Sequence, residues 1–67
     1  MGNMKMLRER IDSSGMTVVS VAAKSGIQRE TLYNKLNGKS EFKASEIRGL
    51  TETLRLTRDE QDRIFFT

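Results

Sequence analysis

Apolar residues recur along this chain at intervals of three and four, and no stretch alternates with a period of two. Residues so spaced share one face of a helix, so helices are the expected elements. Met4, Leu7 and Ile11 form the first stripe, and Ser13-Ser14-Gly15 ends it. Thr17 is placed to cap a second helix by accepting a backbone N–H bond, and Gly26 to end it with a positive φ. On that helix Val18, Val21 and Ala22 lie on one side. Val18 and Val19 are poor helix formers, so packing rather than propensity must hold the segment. A third helix is predicted from about Gln28 to Asn37, with Asn37-Gly38 as its stop signal. "KSEFKA" reads as a loop whose large apolar residue, Phe42, plugs the core. A fourth helix follows from about Ala44 to Leu54, with Ala44, Ile47, Leu50 and Leu54 inward. Gly49 inside it costs about 1 kcal/mol relative to Ala, which predicts a close approach to a neighbouring helix or a weak spot. Thr57-Arg58-Asp59-Glu60 has the T-x-x-E form of a capping box, so a short fifth helix begins there and carries Ile64 and Phe65. The fold class expected is an all-α, five-helix bundle.

The third helix is unusually polar. Its only strong apolar anchors are Leu32 and Leu36, and they set the buried direction. At about 100° per residue, Asn34 then lies at the outward pole, with Glu30 about 40° to one side and Thr31 about 60° to the other. Tyr33 falls nearer the buried flank. Arg29 is also on a flank, but in the first turn, where a long side chain can swing past the helix tip. The outward face therefore offers amide, carboxylate, hydroxyl and guanidinium groups, with Lys35 and Lys39 at its edges. A major groove is read by this chemistry: Arg pairs with guanine, Asn with adenine, Glu accepts from the cytosine amine, and Lys meets phosphate. A solvated helix face has the same composition, so spacing alone leaves both readings open.

Composition narrows the choice. Sixty-seven residues make one domain, and a chain of this size buries only roughly 60% of its unfolded surface. Cys and His are both absent, which removes disulfides, thiolate metal sites and the commonest general base and nucleophile. Neither an enzyme nor a cofactor or metal site is expected. Residues 1–6 contain no continuous apolar run, so no signal peptide or membrane span is expected and a reducing cytoplasm fits. Residues 1–43 carry eight basic groups against four acidic ones, whereas residues 44–67 carry four against five. A basic front half on a nearly neutral remainder suggests an anionic partner for one face.

The run "TVVSVAAKSGIQRETLYNKLNGK", Thr17 to Lys39, resembles the helix-turn-helix of phage repressor and Cro-like regulators, the XRE-type, lambda-repressor-like family. Ala22 matches the family's small residue, Gly26 the turn glycine four residues later, Ile27 the apolar residue after it, and Leu32 the anchor of the second helix. Asn37-Gly38-Lys39 matches the closing "NGK". Physically, Ala22 permits close approach, Gly26 makes the sharp turn, and Leu32 locks one helix on the other. The likeness extends over nearly the whole chain and is strongest to short prophage Cro-like proteins. It implies a single helix-turn-helix domain over 1–67, with its core at about 17–38. It also implies sequence-specific binding of double-stranded DNA in a bacterial cell, as a small transcriptional regulator of the repressor kind, acting by occupancy. Arg29, Glu30 and Asn34 match positions that commonly read bases, with Tyr33 beside them. Thr17, Thr31, Lys35, Lys39, Ser40 and Lys43 are the phosphate candidates.

Two departures from the family pattern stand out. Val18 occupies a position often held by a DNA-contacting Gln, and Lys35 one that tends to be apolar, the apolar residue here being Leu36. One small module makes few contacts, so two-fold pairing on a pseudo-palindromic operator is implied, with Phe66 the candidate for a homodimer contact and Phe65 closing the monomer's own core. The alternative is a protein-interaction module that binds another repressor and modulates it, a reading favoured by Val18 and by Glu30 on the exposed face.

Overall fold

Local signals place each helix end, and long-range contacts decide what each helix buries. The computed structural model describes residues 2–66, and among them the regular elements are five helices with no strand. They are α1 (Met4–Ser13), α2 (Val18–Ser25), α3 (Arg29–Leu36), α4 (Ala44–Leu54) and α5 (Arg58–Phe65). Three caps use a side-chain oxygen to satisfy a free N–H at the first turn. Asn3 accepts from the Met6 N–H at 3.0 Å, Thr17 from the Ser20 N–H at 3.1 Å, and Thr57 from the Glu60 N–H at 3.1 Å. The Thr57 box is reciprocal, because Glu60 accepts from the Thr57 N–H at 2.9 Å. Gly26 ends α2 at φ 74°, whereas Asn37 stays right-handed and Gly38 makes the positive-φ turn after α3, at φ 79°. Gln28 and Asn37 thus flank α3 as caps, one residue outside the helix at each end.

One contiguous core gathers residues from every helix, with Leu7, Ile11, Val21, Leu32, Leu50 and Ile64 fully enclosed. Phe42 packs from the loop against this core, its ring edge-on to Phe65 at 5.3 Å and 79°. Ala44 departs from the sequence expectation: it is the first residue of α4 and is exposed, and the helix meets the core only from Ile47 onward. Gly49 marks the crossing of α4 with the end of α2, where an added Cβ would overlap the Ser25 carbonyl oxygen and approach its carbon to 3.1 Å. Ser25 Oγ donates to Thr53 Oγ1 at 3.1 Å across the same crossing. Arg10 fastens the far end: Nη2 donates to the Leu54 carbonyl at 2.6 Å, and Nε lies 3.0 Å from Glu60. Among the described residues, no helix is long and apolar enough to cross a membrane. The assembly leaves α3 on the outside, anchored from beneath by Leu32 and Leu36.

Candidate nucleic-acid interface

The candidate surface is built from the start of α2, the three-residue connection Gly26-Ile27-Gln28, α3, and the loop that follows it. Ala22 is buried, so its methyl admits the turn against α2, and the Ile27 N–H donates to the Ala22 carbonyl at 2.9 Å. Ile27 is buried as well and pins the connection to the core. The direction of α3 is thereby held at its first residue, before any of its polar side chains come into play.

On α3, Arg29, Glu30, Tyr33 and Asn34 are all exposed, and Thr31 is half-buried. Tyr33, placed near the buried flank by the helical wheel, is 41% exposed. Among the described residues, no side-chain hydrogen bond or ion pair engages these four exposed side chains. The end of the helix is braced from α1, where Arg8 Nη2 donates to Asn37 Oδ1 at 2.6 Å. Backbone bonds from the Gly38 N–H to the Lys35 carbonyl and from the Lys39 N–H to the Asn34 carbonyl, each 3.0 Å, close the turn. Lys39, Ser40 and Lys43 follow as exposed residues along this loop.

Lys35 is the correction. Expected at a phosphate, it is only 6% exposed, and its ammonium is hydrogen-bonded to Glu46 Oε1 beneath the ring of Phe42, 5.7 Å from the centroid. The flank of α3 that carries it faces the first turn of α4, which the helical wheel of α3 alone does not reveal. A buried ammonium needs a counter-charge, and Glu46 supplies it while also accepting the Lys43 N–H at 2.8 Å. Burial works to raise the Glu46 carboxyl, but the hydrogen bonds from Lys35 and the Lys43 backbone, with both lysine charges, outweigh it and hold the group below its ordinary 4.5. Lys35 therefore carries no exposed charge for a phosphate.

Comparison with protein-family models, with curated proteins and with solved structures finds no match. The chemistry of the surface rests on its own side chains.

Those side chains divide into two sets. Arg29, Glu30, Tyr33 and Asn34 come together on one exposed helix face, and Lys39, Ser40 and Lys43 border it from the loop. Thr17 is exposed at the N-cap of α2, where its hydroxyl donates to Ser20 Oγ at 3.1 Å while accepting the Ser20 N–H. Val18 is half-buried and packs against the core. Phe66 is 64% exposed and Phe65 is buried, dividing the two rings between surface and core as expected. Three residues of this region escape the sequence reading. Arg8 braces Asn37 across 29 positions of sequence, a pairing with no local signal. Glu46 stands three residues after Lys43, the spacing of a capping box, but Lys in place of Ser or Thr hides it. Gln28 caps α3 without a side-chain bond, leaving its amide exposed at the edge of the face.

Proposed function

We propose that this chain is a sequence-specific DNA-binding protein of the Cro-like kind, in which α2 and α3 form a helix-turn-helix and α3 enters the major groove. One observation carries the reading: a short helix anchored from below presents Arg29, Glu30, Tyr33 and Asn34 outward, with none of them engaged inside the protein. Groups that can donate to and accept from base edges are thus held on a rigid element and left unpaired, the arrangement that direct readout requires. Lys39, Ser40, Lys43 and Thr17 supply the phosphate contacts on either side, and they set register rather than sequence. Catalysis, metal and cofactor play no part in this reading, and occupancy of an operator is the mode of action.

A second copy on a pseudo-palindromic site multiplies the few contacts of one module. The exposed Phe66 ring is the surface we assign to that pairing. Glu30 on an otherwise basic edge favours the second reading, a module that docks on another repressor, because a carboxylate repels phosphate unless a cytosine amine meets it.

The test is a selection from random duplex DNA at about 150 mM salt, where non-specific binding is weakened. A short enriched motif is expected. Lys39→Ala should weaken every sequence alike and reduce the salt slope by about one. If no motif emerges and the residual binding vanishes with added salt, the DNA-reading proposal is lost and the face belongs to a protein partner.

A further inference from the structure

The exposed side chains of α3 fall into two levels along its axis. Arg29 and Glu30 stand on the first level, and Tyr33 and Asn34 on the second. Four residues separate the levels, a rise of about 6 Å, close to two base steps of about 3.4 Å each. Within a level the two neighbours diverge by about 100°, Glu30 and Asn34 facing more directly outward and Arg29 and Tyr33 more to the flank, so each level spans more than one base edge.

Each level has its own chemistry. The first joins a guanidinium, which only donates, to a carboxylate, which only accepts. A G·C pair is the complement of that combination, since guanine offers the acceptors O6 and N7 while cytosine offers its N4 amine on the other side. Arg29 at the same level also offsets the charge that would otherwise repel Glu30 from the DNA. The second level is uncharged, because Lys35, the cation next in sequence, is withdrawn beneath Phe42 and paired with Glu46. It offers an amide and an aromatic ring. An A·T pair is the match: the amide of Asn34 donates to N7 and accepts from the N6 amine of adenine, and the ring of Tyr33 meets the thymine methyl.

We infer that α3 reads its half-site on two levels, a G·C pair met by Arg29 with Glu30 and, two steps along, an A·T pair met by Asn34 with Tyr33. This rests on the reading of α3 as the DNA-reading helix. The burial of Lys35 is part of the code, since an ammonium on the second level would favour guanine there.

The experiment uses the whole chain. A motif is selected from random duplexes, and the parent is compared with Arg29→Ala, Glu30→Ala and Asn34→Ala, circular dichroism confirming that each remains folded. The expected half-site holds a G·C pair and an A·T pair separated by one pair. Arg29→Ala and Glu30→Ala should relax only the first, and Asn34→Ala only the second. Base analogues test the same contacts without altering the protein. Placing 7-deazaguanine at the first position, which removes N7, or N6-methyladenine at the second should lower affinity by roughly tenfold. A motif without this spacing, analogues that leave affinity unchanged, or Asn34→Ala relaxing the G·C position would overturn the two-level code while leaving DNA reading intact. Absence of any enriched motif would sink both.

Discussion

Lys35 holds a charge where the packing allows almost no water, and the pair it forms with Glu46 ties α3 to the first turn of α4. Removing one partner of such a pair leaves the other charge buried and uncompensated. Lys35→Ala should therefore lower the unfolding free energy by about 3 kcal/mol in urea titration, the scale for a broken buried pair. Replacing both partners behaves differently. The double variant Lys35→Met with Glu46→Gln keeps an oxygen for the Lys43 N–H and removes both charges, so most of that loss should be recovered. The pH dependence follows from the same group. Because the folded Glu46 carboxyl lies below its ordinary 4.5, its stabilisation is fully present above that value and is lost as pH falls through the folded value. Glu60 adds to this with the same sign, held low first by the Thr57 backbone N–H, against burial, and then by Arg10. Stability measured in urea should be level from neutrality to about pH 5 and decline below it, less steeply in Glu46→Gln.

At the scale of elements, α4 contains both a constraint and a strain. Gly49 is the constraint: a methyl there gains about 1 kcal/mol in helix propensity, but it would collide with backbone at Ser25, which cannot swing aside like a side chain. Overpacking of this kind costs roughly 1–3 kcal/mol, so Gly49→Ala should be net destabilising in thermal unfolding despite its better propensity. Arg55 is the strain. It ends α4 at φ 54° and ψ 49°, the only non-glycine residue with positive φ among those described. A side chain at such a position costs about 1 kcal/mol or slightly more. Arg55→Gly should raise the melting temperature by about 4–8 °C, the shift that 1 kcal/mol produces in a domain of this size.

Across the whole molecule, what could be read from the sequence follows from the range of the forces involved. The five helices, the Thr17 and Thr57 caps and the stops at Gly26 and Gly38 were legible because capping and turn conformation act within a few residues. The apolar stripes were legible for the same reason, as were the outward Glu30 and Asn34, since helical periodicity alone opposes them to Leu32 and Leu36, while Arg29 lies on a flank in the first turn. The resemblance from Thr17 to Lys39 added the DNA reading, which stands here as a proposal argued from the face itself. Tyr33 and Lys35 were harder, because both lie on flanks of α3 where the wheel is ambiguous and the neighbouring helix decides. Tertiary structure alone turned Tyr33 outward and drew Lys35 inward to Glu46 and Phe42, sites 11 and 7 residues away in sequence. It also set the crossing at Gly49, the brace from Arg8 to Asn37 and the Arg10 tie between α1, α4 and α5. The sequence by itself determined where each helix begins, ends and turns its apolar side, because those preferences are local. Which charges remain outside was decided only when the helices packed, because burial and pairing depend on residues brought together across the fold.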